Sequence, residues 1–243
     1  MNGELAGRVA VVTGAAGGLG SAVCRVFARE GASVLPVDIR GDSCFLADVG
    51  TAEGNRAMVT EAISRHGRLD ALVLNAGAQF IAPIADFPET EWDRLFDLMV
   101  KGPWLATKAA WTHLVESGDG RIIVTASSLS LTGEEYKAAY VAAKHAVTGL
   151  VKVAALEGGP HGIRANAVAP GLMWTGLMEN QLDDQMRLRN LSREALLERI
   201  ELSQPIRAVE TEEVAEVIAF LASPRASGVS GTCIPVDLGL VAT

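Results

Sequence analysis

Seven short apolar runs alternate with longer stretches of helical spacing along this chain. The runs are RVAVV (8–12), SVLPVD (33–38), CFLAD (44–48), DALVL (70–74), RIIVTA (121–126), IRANAV (163–168) and TCIPV (232–236). Runs of this length suit strands covered on both faces, and the helical stretches supply the crossovers that parallel strands need. The alternation therefore predicts an α/β fold, a doubly wound and mostly parallel sheet built from βαβ units. At 243 residues, 49% of them apolar, the chain can fill one such core and falls short of two, so residues 1–243 are taken as a single domain. Two places strain the pattern. Pro36 lacks an N–H, which predicts an irregular or shifted second strand there. Only residues 39–43 separate the second and third runs, too few for a helical crossover, so an extended link is expected.

Charge narrows the range of partners. Lys and Arg total 21 against 29 Asp and Glu, a formal net charge of −8. With no basic cluster, neither nucleic acid nor an anionic membrane surface is expected as a partner. No apolar run is read as reaching membrane-spanning length. The stretch before the first strand carries Glu4 and leads into a Gly-rich turn, without the apolar segment of a signal peptide. A cytoplasmic location is expected, with Cys24, Cys44 and Cys233 as reduced core thiols. His66, His113, His145 and His161 lack ligand spacing, so no metal is expected. Trp92, Trp104 and Trp111 read as core or subunit interface.

The first strand runs into TGAAGGLG (13–20), which opens a helix. Gly14, Gly18 and Gly20, with Gly17 and Leu19 between them, allow a tight turn and a close approach to a pyrophosphate at the helix N-terminus. Glycines also serve ordinary turns, but this turn lies at the first βα junction, where doubly wound sheets bind dinucleotides. Asp38 ends the second strand 18 residues beyond Gly20. A carboxylate there accepts hydrogen bonds from ribose hydroxyls and repels a 2′-phosphate. Gly17 leaves the loop without a cation for that phosphate, and Arg40 is the only cation near Asp38. NAD is expected rather than NADP.

Tyr140 and Lys144, four residues apart in AAYVAAKH (138–145), share one face of a helix. A phenol ionises near about 10; a neighbouring ammonium and a positively charged nicotinamide both favour phenolate and would bring it towards working pH. The alternative is an amphipathic helix whose Tyr and Lys simply reach for water. The T-G-x-x-x-G-x-G spacing, NAG at 75–77 and Tyr140-x-x-x-Lys144 together resemble the short-chain dehydrogenase/reductase family over essentially the whole chain. That resemblance implies a seven-stranded Rossmann-type sheet, a homotetramer, and contacts to NAD from Asp48 and Val49, from Asn75, Ala76 and Gly77, and from Pro170, Gly171 and Thr175. It also implies that Ser127, 13 residues before Tyr140, holds the substrate oxygen, with Ser128 as the neighbouring candidate, and that Lys144 binds the nicotinamide ribose. The family usually carries an Asn where this chain has Met99. There a local break in the helix lets a backbone carbonyl hold a water that reaches the catalytic Lys. Met99 keeps the carbonyl and loses the amide that supports the break.

Within the family, residues 75–92, 139–157 and 178–213 look like the D-3-hydroxybutyrate dehydrogenases. The resemblance assigns the substrate carboxylate to Gln79, Lys137 and Gln181. It places Leu129 and Leu172 where a His and an aromatic are usual, which makes the pocket more apolar and roomier, and Trp174 stands at the root of the Met- and Leu-rich segment 176–205. That segment reads either as a lid over the cleft or as a surface helical hairpin. The expected activity is NAD-dependent interconversion of a secondary alcohol, such as 3-hydroxybutyrate, and its ketone. The alternatives are a ketoreductase or dihydrodiol dehydrogenase for a bulkier apolar substrate, and a dinucleotide-binding regulator with weakened chemistry.

Overall fold

In the computed structural model, which describes residues 3–242, the apolar runs become β1 (Val9–Thr13), β2 (Ser33–Asp38), β3 (Phe45–Leu46), β4 (Ala71–Leu74), β5 (Arg121–Thr125), β6 (Arg164–Pro170) and β7 (Cys233–Val236). They form one parallel sheet in the order β3-β2-β1-β4-β5-β6-β7. The order reverses between β1 and β4, and doubly wound sheets open their ligand crevice at the strand ends beside such a reversal.

Strand periodicity divides the core into two layers. Val11, Leu72, Ile122 and Ala167 face one side, where α2 (Ala52–His66), α4 (Gly102–Glu116) and α5 (Ala138–Gly158) cover them through Met58, Ala106, Ala110 and Val151. The alternate residues Val12, Val73, Ile123 and Val168 face the other side, under α1 (Gly18–Arg29) and α9 (Thr211–Ala222). Period-two strands buried on both faces are what a parallel sheet between helical layers requires. The remaining helices, α3 (Glu89–Phe96), α6 (Gly176–Glu179), α7 (Leu182–Arg189) and α8 (Arg193–Leu202), lie in the long connections after β4 and β6.

Three expectations need correction. β2 runs regularly through Pro36, which pairs with Val12. The Ser33 N–H donates to Arg8 O of the β1 side at 2.9 Å. Because successive residues turn to opposite edges, Pro36 presents its nitrogen away from β1. On that edge β3 is only two residues long and pairs with Val37 and Asp38, so the missing donor deprives no partner. Second, the segment Ala138–His161 is by length and composition apolar enough to cross a membrane. In the fold its Val147, Val151 and Ala154 are buried, as suits the core helix of a parallel α/β layer. Third, the cysteines are free but half-buried, and burial pushes the Cys24 thiol up to about 11. The link after β2 carries no helix, as its length required.

At the end of the sheet away from the crevice, Asp119 accepts hydrogen bonds from Arg8, Arg121 and Arg164. The Arg121 side chain is 1% exposed. Burial works against the Asp119 carboxylate, but hydrogen bonds from Arg121 and Arg8 and the nearby guanidinium charges hold it well below the usual carboxylate range. Asp119→Asn should therefore lower stability to urea by about 2 kcal/mol, since it leaves a buried guanidinium under-compensated. The wild-type advantage of a depressed carboxyl is present above the ordinary Asp range near about pH 4 and fades below it. The two unfolding curves should converge in acid.

Candidate active site

The crevice at the β1/β4 reversal is a cleft of about 1130 Å³. All the residues expected to hold a dinucleotide line it: Gly14, Gly17, Gly18, Leu19, Gly20, Asp38, Asp48, Val49, Asn75, Ala76, Gly77, Tyr140, Lys144, Pro170, Gly171 and Thr175. Gly14 has φ +67°, and a Cβ there would lie 2.9 Å from Ala76 Cα; one on Gly20 would lie 2.1 Å from Gly14 O. These two glycines are demanded by the close packing of the turn on itself and on the β4 loop. The α1 N-terminus then opens at Gly17 and Gly18 with no side-chain cap, leaving backbone N–H groups for a pyrophosphate. Asp38 is fixed at the end of β2, its two oxygens accepting from Ala16 N (3.0 Å) and Ile39 N (2.8 Å).

One run of hydrogen bonds ties the ends of β1, β4 and β5 together. Thr13 Oγ1 accepts from the Asn75 and Ala76 N–H groups (3.0 and 3.1 Å). Asn75 Nδ2 donates to Thr13 O (3.1 Å), and Asn75 Oδ1 accepts from Thr125 Oγ1 (3.2 Å). Thr125 O in turn accepts from Lys144 Nζ at 2.6 Å. Sequence reasoning gave no role to Thr13 or Thr125; their signal was a hydroxyl at the end of each of the two strands that flank β4.

Ser127, Tyr140 and Lys144 line the cleft together, whereas Ser128 does not. The Tyr140 ring centroid lies 5.5 Å from Lys144 Nζ, and both residues are buried. Burial alone brings Lys144 down to about 8. For Tyr140, burial raises the phenol above its ordinary value and outweighs the Ser127 and Gln79 side chains, whose hydrogen bonding favours phenolate. Desolvation penalises both charged forms, so the ammonium and the nicotinamide charge expected to favour phenolate act against the burial of Tyr140.

The helix break survives Met99. Between α3 and α4 the backbone makes one turn of π-helix at Asp97–Lys101, with Met99 buried against Leu95, Ala139, Tyr140 and Ala143. Pro103, four residues beyond Met99, has no N–H to offer the Met99 carbonyl, so the α-helical pattern cannot continue there. Apolar packing and a proline support what an Asn amide was expected to support.

The substrate side departs most from expectation. Gln79 and Gln181 line the cleft; Lys137, Leu129, Leu172 and Trp174 do not. Lys137 is buried with its ammonium on Glu134 at 2.8 Å. Leu129 packs behind Tyr140. Leu172 joins Met178, Leu182, Leu196 and Ile200 in a separate small core within the 172–200 segment, and Trp174 is exposed. That segment also lends Met173, Gly176, Leu177, Asn180 and Asp184 to the cleft wall. It is anchored beside the N-terminus of α5: Arg189 pairs with Glu135 at 2.9 Å and lies 5.3 Å over the Tyr136 ring. Tyr136 has φ +69°, a strained conformation for a non-glycine, directly before the helix that carries Tyr140.

A family model described as enoyl-(acyl carrier protein) reductase matches residues 14–241. The chain is 41% identical to an uncharacterised oxidoreductase, YxjF, of Bacillus subtilis (strain 168), over 97% of this chain and 98% of that one. It is 34% identical to D-beta-hydroxybutyrate dehydrogenase of Rhizobium meliloti (strain 1021), over 97% and 99%. Among solved structures, levodione reductase superposes with a TM-score of 0.91 at 32% identity over 98% of this chain and 99% of that one. NAD+-bound xylitol dehydrogenase superposes at 0.91 with 28% identity over 96% and 98%.

The buried Lys144 makes a direct prediction. In NMR of the isotope-labelled protein one lysine should titrate at about 8, set apart from exposed lysines near about 10.4, and Lys144→Met should remove that signal alone.

Proposed function

Because the chain belongs to the short-chain dehydrogenase/reductase family, whose oxidoreductases work between alcohols and ketones, we propose that it interconverts a secondary alcohol and its ketone with NAD, using Tyr140 as the acid and base. The observation that carries this reading is the convergence of Ser127, Tyr140 and Lys144 on one buried wall of the dinucleotide cleft. When bound, the cofactor supplies the acceptor for the hydride that leaves the alcohol carbon. The chain's own groups do the rest. Ser127 holds the substrate oxygen, and Tyr140 takes its proton, so that the carbon–oxygen bond becomes a carbonyl as hydride departs. In the reverse direction the neutral phenol, which burial favours, returns that proton. Tyr140, whose phenol burial keeps neutral, would reach phenolate with the help of the Lys144 ammonium and of the positive charge that an oxidised nicotinamide would bring. Lys144, anchored on Thr125 O, orients the ribose and passes protons at a value close to working pH.

NAD is favoured over NADP because Asp38, fixed at the end of β2 by the Ala16 and Ile39 N–H groups, would repel a 2′-phosphate, while Arg40 is exposed at the rim. The regulator reading rested on Met99; with the helix break retained, its motive is gone. The 3-hydroxy acid reading draws on the hydroxybutyrate dehydrogenase relative and on Gln79 and Gln181 in the cleft; the pairing of Lys137 with Glu134 favours the second reading, a substrate without a carboxylate. A homotetramer is the assembly proposed with this activity, and the exposed Val153 and Leu156 of α5 offer apolar surface for it.

Tyr140→Phe should lower kcat by about 10³-fold with cofactor affinity unchanged, in line with the loss of a positioned general acid–base group. Full turnover by that variant overturns the mechanism. Asp38→Ala should raise KM for NAD and lower it for NADP, measured as initial rates with each nucleotide.

A further inference from the structure

On the substrate side of the cleft, two buried amide oxygens have no hydrogen-bond partner among the described residues. Gln181 is 5% exposed, and its amide nitrogen donates to Leu177 O. A carbonyl can only accept, which fixes the amide and leaves Gln181 Oε1 on the other side. Gln181 Oε1 and Gln79 Oε1 are both buried without a hydrogen-bond partner among the described residues, and both residues line the cleft with Tyr140. The nearby cations are committed elsewhere: Lys144 to Thr125 O, Lys137 to Glu134. A carboxylate placed against these two oxygens would lose its hydration and meet acceptors only, a desolvation cost that neither oxygen can compensate. A hydroxyl group would instead give an orphaned oxygen the donor it lacks, which recovers the penalty of a buried unpaired acceptor.

Resting on the dehydrogenase reading above, we propose that the site takes a neutral substrate bearing further hydroxyl groups beside the reacting carbon, a diol or polyol and the matching hydroxyketone. Gln79 Oε1 and Gln181 Oε1 accept hydrogen bonds from those hydroxyls. The two amides thus determine specificity against 3-hydroxy acids, and the reaction itself is unchanged.

The cleanest comparison is between 3-hydroxybutyrate and 1,3-butanediol, which share the reacting carbon and differ in a carboxylate against a CH2OH, each as both enantiomers, with 2,3-butanediol and xylitol as further neutral members. The wild-type enzyme with NAD should show kcat/KM at least tenfold higher for the neutral member of the pair. Gln181→Met should raise KM for the diol about tenfold with kcat within twofold, whereas Gln79→Met should raise KM and also lower kcat, because Gln79 hydrogen-bonds the Tyr140 phenol; thermal melts check that both variants fold. A preference for 3-hydroxybutyrate overturns the inference and leaves the dehydrogenase reading standing. Diol turnover with KM unmoved in both variants also overturns it. No turnover of any member, with NAD binding intact by fluorescence titration, overturns the dehydrogenase reading and the inference together.

Discussion

The Asn75 side chain is the bond on which the active cleft depends. A parallel sheet holds its strands together along their length, but at the carboxyl ends the chains diverge into loops and the ladder stops. Asn75 carries the connection past that point, joining Thr13 of β1 to Thr125 of β5 across β4. Thr125 then holds Lys144 by its carbonyl, and the glycine turn packs on Ala76. The nucleotide loop and the helix that carries Tyr140 are in this way positioned by one amide, with both its donor and its acceptor used.

Burial sets the chemistry of that arrangement. A phenol and an ammonium enclosed in the same low-dielectric wall each resist charge: the phenol rises and the ammonium falls to about 8. The two shifts move the groups apart, the ammonium falling below the phenol, so that burial favours the neutral form of each. The π-turn at Asp97–Lys101 and Met99 packs directly against this pair. A buried methionine and a proline four residues on preserve a backbone feature without the side chain that the family resemblance led one to expect there.

The segment between Thr175 and α9 has a core of its own and touches the catalytic helix through a short charged and aromatic patch around Arg189. Its cleft-lining residues, with Met173 just before it, are the amides Asn180 and Gln181, the apolar Leu177, Gly176, and Asp184, whose carboxylate pairs with Arg187.

The architecture and the meeting of Ser127, Tyr140 and Lys144 in one cleft were legible from sequence because both are written in local spacing: period-two runs, a glycine turn at a strand end, and Tyr and Lys one helical turn apart. The strand ends differed by one or two residues, and Pro36 was misjudged because its edge of β2 depends on how far β3 extends. The fates of Lys137, Leu129, Leu172 and Trp174 were not legible. Whether a lysine is free or spent, or a leucine faces a pocket or a separate core, depends on partners brought close by the fold, such as Glu134 beside Lys137 and Leu196 beside Leu172. By itself the sequence determined the fold and the residues that meet in the cleft at the β1/β4 reversal. The tertiary structure alone decided which hydrogen bonds were left unmade in that cleft, because donors and acceptors are allotted by three-dimensional packing and desolvation rather than by spacing along the chain.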